Sequence, residues 1–259
     1  MLHIRLFGGF EVDAPDGLDV PLSSRSSRHL LAFLALNPGR FFQRDVLAGI
    51  LWGERPDDAA QKALRNSLWR LRAALGHAGG DALRVEGKHI ALVGDAWIDT
   101  REFTTVTNAL GGPGARVADA SMVPLLERAV ELYRGDLLDG VHEEWTMGRR
   151  EHFRLVFLAV LERLFAHQQS VGQLSAAIVT GRMLLRYDPF LERIHRELMV
   201  CHWAMGDRPL AVRQYLTCEA VLREELDLEP MSETRALHER IRADTPPRAR
   251  SPYDWAVPS

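Results

Sequence analysis

The stretch DAAQKALRNSLWRLRAALG (residues 58–76) decides what the amino-terminal part of this chain can become. An apolar stripe recurs in it at the spacing of an α-helix and consists of Leu64, Leu68, Leu71 and Leu75. Polar and basic residues fill the positions off the stripe, and Gly76 stands where a helix would stop. The stretch therefore predicts a helix that buries its leucines and turns a cationic side outward.

The segments on either side extend the pattern. Two helical patterns precede this helix, over residues 23–36 and 43–51, and alternating residues at 2–12 and 20–22 predict a small antiparallel sheet at the start. Two short alternating runs follow the helix, and Glu86-Gly87-Lys88-His89 joins them as the basic tip of a hairpin. This is the order of a winged helix-turn-helix, whose third helix enters the major groove of DNA and whose hairpin lies over phosphates or the minor groove.

The distribution of charge favours a polyanionic partner, although the net charge of the chain is −3. Residues 21–93 hold eleven Lys or Arg against six Asp or Glu, so this region carries +5 and the remainder −8. Arg and Asn side chains can bind purine edges in pairs of hydrogen bonds, and Lys and Arg can neutralise phosphates. The expected DNA contacts include Lys62, Arg65, Asn66, Trp69, Arg70 and Arg72 on the third helix, Arg84, Lys88 and His89 in the hairpin, and Ser24, Arg25 and Ser26 at the start of the first helix.

The second half is almost entirely helical in pattern. Gly172 and Gly206 are 34 residues apart, as are Ala177 and Ala211, which is the tetratricopeptide period, although chance helical hairpins of similar length would look alike. Stacked hairpins of this kind expose a groove that binds a protein or peptide. We expect a mainly α chain with a winged helix-turn-helix domain over 1–105, a linker over 106–118, a tetratricopeptide-like all-α domain over 119–243 and a disordered tail over 244–259.

Composition and motifs argue against several other classes of protein. No phosphate-binding, nucleophile-elbow, zinc-protease or dinucleotide motif occurs, so neither an enzyme nor a cofactor is expected. His142, Glu143, Glu144 and His152 match no standard metal spacing and indicate a charged helix start. Cys201 and Cys218 form neither a disulfide framework nor a zinc set, and we expect them to be small buried residues. With no signal peptide or apolar span, we expect a cytoplasmic protein without a membrane partner.

Several stretches carry a resemblance to a known family. Residues 2–103 resemble the DNA-binding domain of the Streptomyces antibiotic regulatory proteins, which is similar to the output domain of OmpR-type response regulators. The matching stretches are LHIRLFGGFEV (2–12), LLAFLALNPGR (30–40), RDVLAGILWG (44–53), ALRNSLWRLRAALG (63–76) and IDTREF (98–103). The second half is similar to the bacterial transcriptional activator domain of the same proteins, through YRGDLLDG (133–140), EEW (143–145), DPFLERIHRELM (188–199) and ELDLEPMSET (225–234).

The resemblance implies a standalone transcriptional activator that binds direct repeats of double-stranded DNA near a promoter as a homodimer and recruits RNA polymerase. It places the recognition helix at residues 61–75, with Arg70 and Arg72 at recurring basic positions. Lys62, Arg65, Asn66, Ser67 and Trp69 would then set sequence preference. The loop with Glu54, Arg55, Asp57 and Asp58 corresponds to the segment that touches polymerase in OmpR-like domains. Trp69 is unusual, and either contacts a thymine methyl group or packs on the body of the domain.

Two other interpretations stay open. The chain is an adaptor if its winged-helix half has lost DNA binding and serves protein contacts. It is a sensor if a small ligand or a signalling protein binds in the helical groove and controls DNA affinity. A flat response of DNA binding to salt would favour the adaptor, because a DNA-binding protein releases counterions from the phosphates that it neutralises.

Overall fold

A computed structural model describes residues 1–79, 82–111 and 120–243. The amino-terminal elements are β1 (His3–Arg5), β2 (Glu11–Asp13), α1 (Arg25–Ala35), β3 (Phe42–Gln43), α2 (Arg44–Trp52), α3 (Asp57–Gly79), β4 (Leu83–Glu86), β5 (His89–Leu92), β6 (Trp97–Ile98) and α4 (Asp99–Ala109). A 3₁₀ turn (Ala120–Met122) and α5 (Val123–Leu132), α6 (Glu144–Ser170), α7 (Leu174–Tyr187), α8 (Glu192–Ala204), α9 (Arg208–Leu226) and α10 (Ser232–Arg242) follow. The predicted tail at 244–259 lies outside the described residues.

The described chain divides into two compact units. The first consists of Met1–Ala109 and Arg128–Leu155, and the second of Leu110–Glu127 and Val156–Ser259. The division between Ala109 and Leu110 falls inside the predicted linker at 106–118, although α4 is helical as far as Ala109; residues 112–118 lie outside the described part. Residues 128–155, which the sequence assigned to the helical domain, join the first unit instead.

Two small sheets belong to the first unit. One has the strand order β2-β1-β6, with β1 antiparallel to β2 and parallel to β6, and the other has the order β3-β5-β4, all antiparallel. Leu2, Ile4 and Leu6 alternate into the core, as a half-buried strand requires. Residues 20–22 are not assigned to a strand: the predicted return segment is limited to a bridge between Asp13 and Asp19 and a hydrogen bond from the Val20 N–H to the Val12 carbonyl at 2.8 Å.

Helices α1 and α2 pack against α3 and its buried leucines. Leu64, Leu68, Leu71 and Leu75 are all buried, as the stripe predicted. Gly76 has a φ of 53° and a ψ of −153°, which breaks the helical path within α3 at the predicted stop. This backbone conformation suits glycine, because it has no Cβ to clash with the chain.

Residues 128–155 complete the core of the first unit. Phe7 lies against Phe103, Tyr133 and Phe153, at ring-centre distances of 5.3, 4.6 and 5.2 Å. The backbone N–H of Gly8 donates to Asp136 at 3.0 Å, and the N–H of Leu138 donates to Leu6 at 2.7 Å. A Cβ on Gly135 would lie 2.9 Å from the Cα of Gly8, so a larger residue would push this backbone contact apart. The YRGDLLDG motif therefore packs against the amino-terminal sheet and forms hydrogen bonds with the backbone just after β1.

The second unit contains the predicted helical hairpins. Helices α7 and α9 begin just after the turns at Gly172 and Gly206, and Ala177 and Ala211 in these helices are completely buried. Small side chains at these positions let neighbouring helices approach closely. The period of 34 residues that the sequence shows is therefore present as a repeated helix–turn–helix arrangement.

One polar network in the second unit joins two of the family motifs. The Glu192 carboxylate accepts the N–H of Met231 at 2.7 Å and the hydroxyl of Thr234, and the Arg196 guanidinium donates to the same hydroxyl oxygen at 3.0 Å. Glu192 and Arg196 belong to DPFLERIHRELM, and Met231 and Thr234 to ELDLEPMSET. The network therefore fixes the start of α10 against α8.

Candidate nucleic-acid interface

The outer side of α3 carries the residues expected to meet DNA. Successive residues are rotated by about 100° around an α-helix, so the leucine stripe fixes where every other side chain points. Asn66 lies opposite the stripe, Lys62 and Trp69 lie to one side of Asn66, and Arg70 lies to the other. Arg65 and Arg72 stand on the flank beyond Trp69, and all six side chains are exposed. The outer side of α3 thus presents a central row of Lys62, Asn66 and Trp69, with arginines on both sides of it.

Ser67 was expected to contact DNA, but the structure does not place its side chain in this exposed set. Its side chain is only 2% exposed, because it sits beside the leucine stripe on the edge of α3 that faces α1. The hydroxyl of Ser27 donates to the Ser67 carbonyl at 3.2 Å. A small residue there lets α1 and α3 pack closely, so Ser67 is a packing residue.

Arg70 is held next to the start of α1. Its guanidinium donates to the Ser24 hydroxyl oxygen at 3.4 Å, and the same oxygen accepts the N–H of Ser27 as the N-cap of α1. Ser26 is half-buried in the first turn of this helix. An anion at this point would meet the Arg70 charge and the positive end of the α1 dipole together. The structure therefore brings together Arg70 and Ser24, two predicted site residues that lie 46 positions apart in the sequence.

Arg25 also lies at the start of α1, and it has an acidic neighbour that the sequence pattern did not reveal. Its side chain is 75% exposed, and its guanidinium lies 3.6 Å from the Glu143 carboxylate. The same carboxylate lies 3.4 Å from Nδ1 of His29, whose pKa burial lowers despite the opposing effect of Glu143. Glu143 belongs to the EEW motif, which explains a charged residue there without a metal site.

The hairpin of β4 and β5 forms the predicted wing. Gly87 has a φ of 56° at its tip, and the Arg84, Lys88 and His89 side chains next to the tip are exposed. Arg84 lies 3.8 Å from Glu86, an exposed pair that contributes little to stability. The N–H of Arg44 donates to the Lys88 carbonyl at 2.9 Å and ties the wing to the start of α2.

The loop between α2 and α3 borders a groove. Glu54, Arg55, Asp57 and Asp58 are all exposed there, the last two in the first turn of α3. The groove measures about 630 Å³, and its walls come from α1, α2 and the beginning of α6. Ile50 and Met147 are exposed hydrophobic residues in its lining. Exposed apolar side chains with a polar rim are typical of a protein-binding surface.

Other kinds of site find little support in the described ranges. Across 1–79, 82–111 and 120–243, no three His, Cys, Asp or Glu residues are grouped so that they could hold a metal ion. Cys201 and Cys218 are buried, as predicted. Burial raises the pKa of both thiols, that of Cys218 to about 12, so they stay protonated at neutral pH. In the same ranges, no helix has the length and apolar character that crossing a membrane requires.

Several known proteins that are similar to this chain are named as regulators. The model of the bacterial transcriptional activator domain family matches residues 98–242. RedD, a transcriptional regulator of Streptomyces coelicolor, is 29% identical over 85% of this chain and 64% of its own length. The regulatory protein AfsR of the same organism is 26% identical over 87% of this chain but only 23% of its own length. The chain thus spans less than two thirds of either relative.

A solved structure shows the same arrangement of elements. Mycobacterium tuberculosis EmbR, in complex with a low-affinity phosphopeptide, superposes with a TM-score of 0.69 and 22% identity over 98% of this chain and 68% of EmbR. At this identity the likeness concerns the fold alone. The match over residues 98–242 and the similarity to RedD and AfsR support the resemblance drawn from the sequence. The chain therefore belongs to the bacterial transcriptional activator domain family.

Proposed function

We propose that this protein activates transcription by binding direct repeats of double-stranded DNA near a promoter as a homodimer and recruiting RNA polymerase. The observation that carries the proposal is the outer side of α3, where six polar, basic and aromatic side chains are exposed around Asn66. An α-helix fits the major groove, where each base pair presents a distinct pattern of donors, acceptors and methyl groups. The family to which the chain belongs supports the same function.

The residues divide into two classes of contact. Asn66 at the centre of the outer side of α3 suits base edges, since a carboxamide can bind adenine through two hydrogen bonds. Arg70 and Arg72 lie to the sides, where phosphates pass on either edge of the groove. The wing residues Lys88 and Arg84 would neutralise further phosphates. Base contacts set the preferred sequence, and phosphate contacts set affinity for every sequence.

Substitutions should separate these classes. Arg70→Ala is expected to weaken binding to all duplexes and to reduce the slope of log K against log salt by about one. Asn66→Ala should change which sequence is preferred, with a loss of about 1–3 kcal/mol on the parent's preferred duplex and little loss on unrelated DNA. Fluorescence anisotropy across a salt series measures both effects.

Arg223→Ala is the matched control, because Arg223 is an exposed arginine of α9 that already faces Glu219 at 3.5 Å. It should bind both duplexes as the parent does. If Arg70→Ala and Asn66→Ala also bind every duplex like the parent, α3 is not the recognition helix. A flat salt response of the parent itself would favour the adaptor function.

Recruitment of polymerase is the second part of the proposal. The exposed residues Glu54 and Arg55 line the groove together with Ile50 and Met147, and Asp57 and Asp58 follow in the first turn of α3. Apolar side chains that project into a groove and charged residues at its rim suit a partner segment with one large apolar anchor. We propose that a segment of RNA polymerase binds in this groove.

Footprinting should test both parts at once. On the DNA upstream of a regulated gene, the protein alone is expected to protect two direct repeats about one helical turn apart. RNA polymerase should extend the protected region over the promoter. With Ile50→Glu, the polymerase concentration needed to extend the protected region should rise at least about tenfold, while the repeats stay protected. The reason is that a carboxylate cannot enter an apolar contact without losing its hydration.

The control for this experiment is Val179→Glu, which places the same charge at an exposed position of α7. It should behave as the parent in both lanes. Protection of a single site would contradict binding as a dimer. An undiminished extension with Ile50→Glu would contradict the groove as the polymerase contact.

A further inference from the structure

Trp69 is the exposed side chain that the packing of the first unit leaves unexplained. Its side chain is 72% exposed in the middle of α3, whereas the leucines of the same helix are buried. This excludes the interpretation that the ring packs on the body of the domain in this conformation. Leaving a large aromatic surface in water forgoes the stabilisation that burial would give, so an exposed tryptophan at the centre of a recognition surface points to a binding partner.

The position of Trp69 on the helix indicates what that partner is. Trp69 lies between Asn66 on one side and the cations Arg65 and Arg72 on the other. Arginines at both edges of the row are already placed to contact the phosphates of the two strands. A side chain inside the row faces the base edges that line the floor of the major groove.

The chemistry of the major-groove floor limits which feature of a base pair Trp69 can contact. The C5-methyl group of thymine is the apolar feature that base pairs present there, and the other features are hydrogen-bond donors and acceptors. The broad indole face is the largest apolar surface on the outer side of α3. From the proposed DNA-binding function and this geometry, we infer that Trp69 reads the 5-methyl group of a thymine through apolar contact.

The spacing along α3 predicts where that thymine lies. Asn66 and Trp69 are three residues apart, which corresponds to about 4.5 Å along the helix axis. Neighbouring base pairs are separated by about 3.4 Å. The thymine read by Trp69 therefore lies within one or two base pairs of the base that Asn66 contacts. Each repeat of the binding site should contain one such thymine.

The test removes the 5-methyl group of thymine from the DNA and the indole ring of Trp69 from the protein in separate measurements. The full chain first selects its preferred duplex from a random pool, and each thymine of that duplex is then replaced by deoxyuridine, which lacks only the 5-methyl group. For the parent, one replacement per repeat should raise Kd about fourfold, the expected effect of losing one buried methyl contact. Trp69→Ala should bind the thymine and deoxyuridine duplexes equally.

Trp69→Phe distinguishes the apolar contact from a hydrogen bond of the indole N–H. Phenylalanine keeps an aromatic face but has no donor, so it should retain the preference for thymine. Leu216→Ala, at an exposed position of α9, is the control and should retain it fully. Because Trp69 is exposed, both of its variants should melt at the same temperature as the parent.

Three results would overturn the inference: no thymine of the selected duplex is sensitive to loss of its methyl group, Trp69→Ala keeps the preference, or Trp69→Phe loses it. In each of these cases the parent still selects a duplex, so the proposed DNA binding stands. If the parent selects no duplex from the pool, the DNA-binding function fails and the inference fails with it.

Discussion

Replacing Phe7 with alanine is expected to lower the free energy of unfolding by about 3–5 kcal/mol. The Phe7 ring is 1% exposed and lies against Phe103, Tyr133 and Phe153. Removal of the ring leaves a cavity at the point where residues 128–155 meet the amino-terminal sheet. Such a large fraction of the stability of an ordinary domain should be visible in urea denaturation as a lower midpoint.

The matched control is Leu18→Ala, since Leu18 is an exposed apolar residue in the same unit. Its effect should stay within about 0.5 kcal/mol, as for most surface substitutions. A chain ending at residue 105, the predicted limit of the winged-helix domain, should be destabilised as Phe7→Ala is, because it lacks Tyr133 and Phe153. A loss of less than about 1 kcal/mol for Phe7→Ala would show that the aromatic cluster is not the main contact between residues 128–155 and the amino-terminal sheet.

Asp99→Ala is expected to destabilise the protein by at least about 3 kcal/mol. The Asp99 carboxylate is 2% exposed and accepts three backbone N–H groups, those of Leu6, Phe7 and Thr100, at 2.8, 2.9 and 2.7 Å. Alanine would leave these donors without a partner, and each buried donor left unsatisfied costs about 1–3 kcal/mol. Chemical denaturation measures the change, and Asp95→Ala at an exposed position should leave stability unchanged.

The pH dependence of the same residue provides an independent check. Burial raises the pKa of Asp99, and the three hydrogen bonds oppose this effect only in part. The folded protein therefore holds the proton more tightly than the unfolded chain, so ionisation of Asp99 costs stability. The stability of the parent relative to Asp99→Asn should fall as pH rises from about 4, the ordinary value for Asp, through the raised pKa. A constant difference across this range would contradict the raised pKa.

Much of the fold could be read from local patterns. The leucine stripe at residues 64–75 predicted α3, the expected stop at Gly76 is a break in its helical path, and the alternation around Gly87 predicted the wing. Both are features in which neighbouring residues decide the conformation. Helix α4 was not predicted, because its sequence DTREFTTVTNA contains four threonines and few apolar residues. It is held by Asp99, which binds the backbone just after β1, and by Phe103, which lies against Tyr133 and Phe153.

The candidate interface was also only partly readable. Exposure of Lys62, Arg65, Asn66, Arg70 and Arg72 follows directly from the position of the leucine stripe. The burial of Ser67 does not, because it depends on how closely α1 approaches α3, where Ser27 bonds its carbonyl. The neighbour of Arg25 was equally hidden, since Glu143 lies more than a hundred residues away in sequence.

The amino-acid sequence by itself determined the helices other than α4, the wing, the cationic side of α3 and the family of the chain, because periodicity and motifs act over short distances along the chain. Tertiary structure alone decided that residues 128–155 complete the amino-terminal core, that Ser67 is buried and that Trp69 stays exposed. These outcomes depend on which distant surfaces meet, and side-chain packing and backbone hydrogen bonds settle that only once the whole unit is folded.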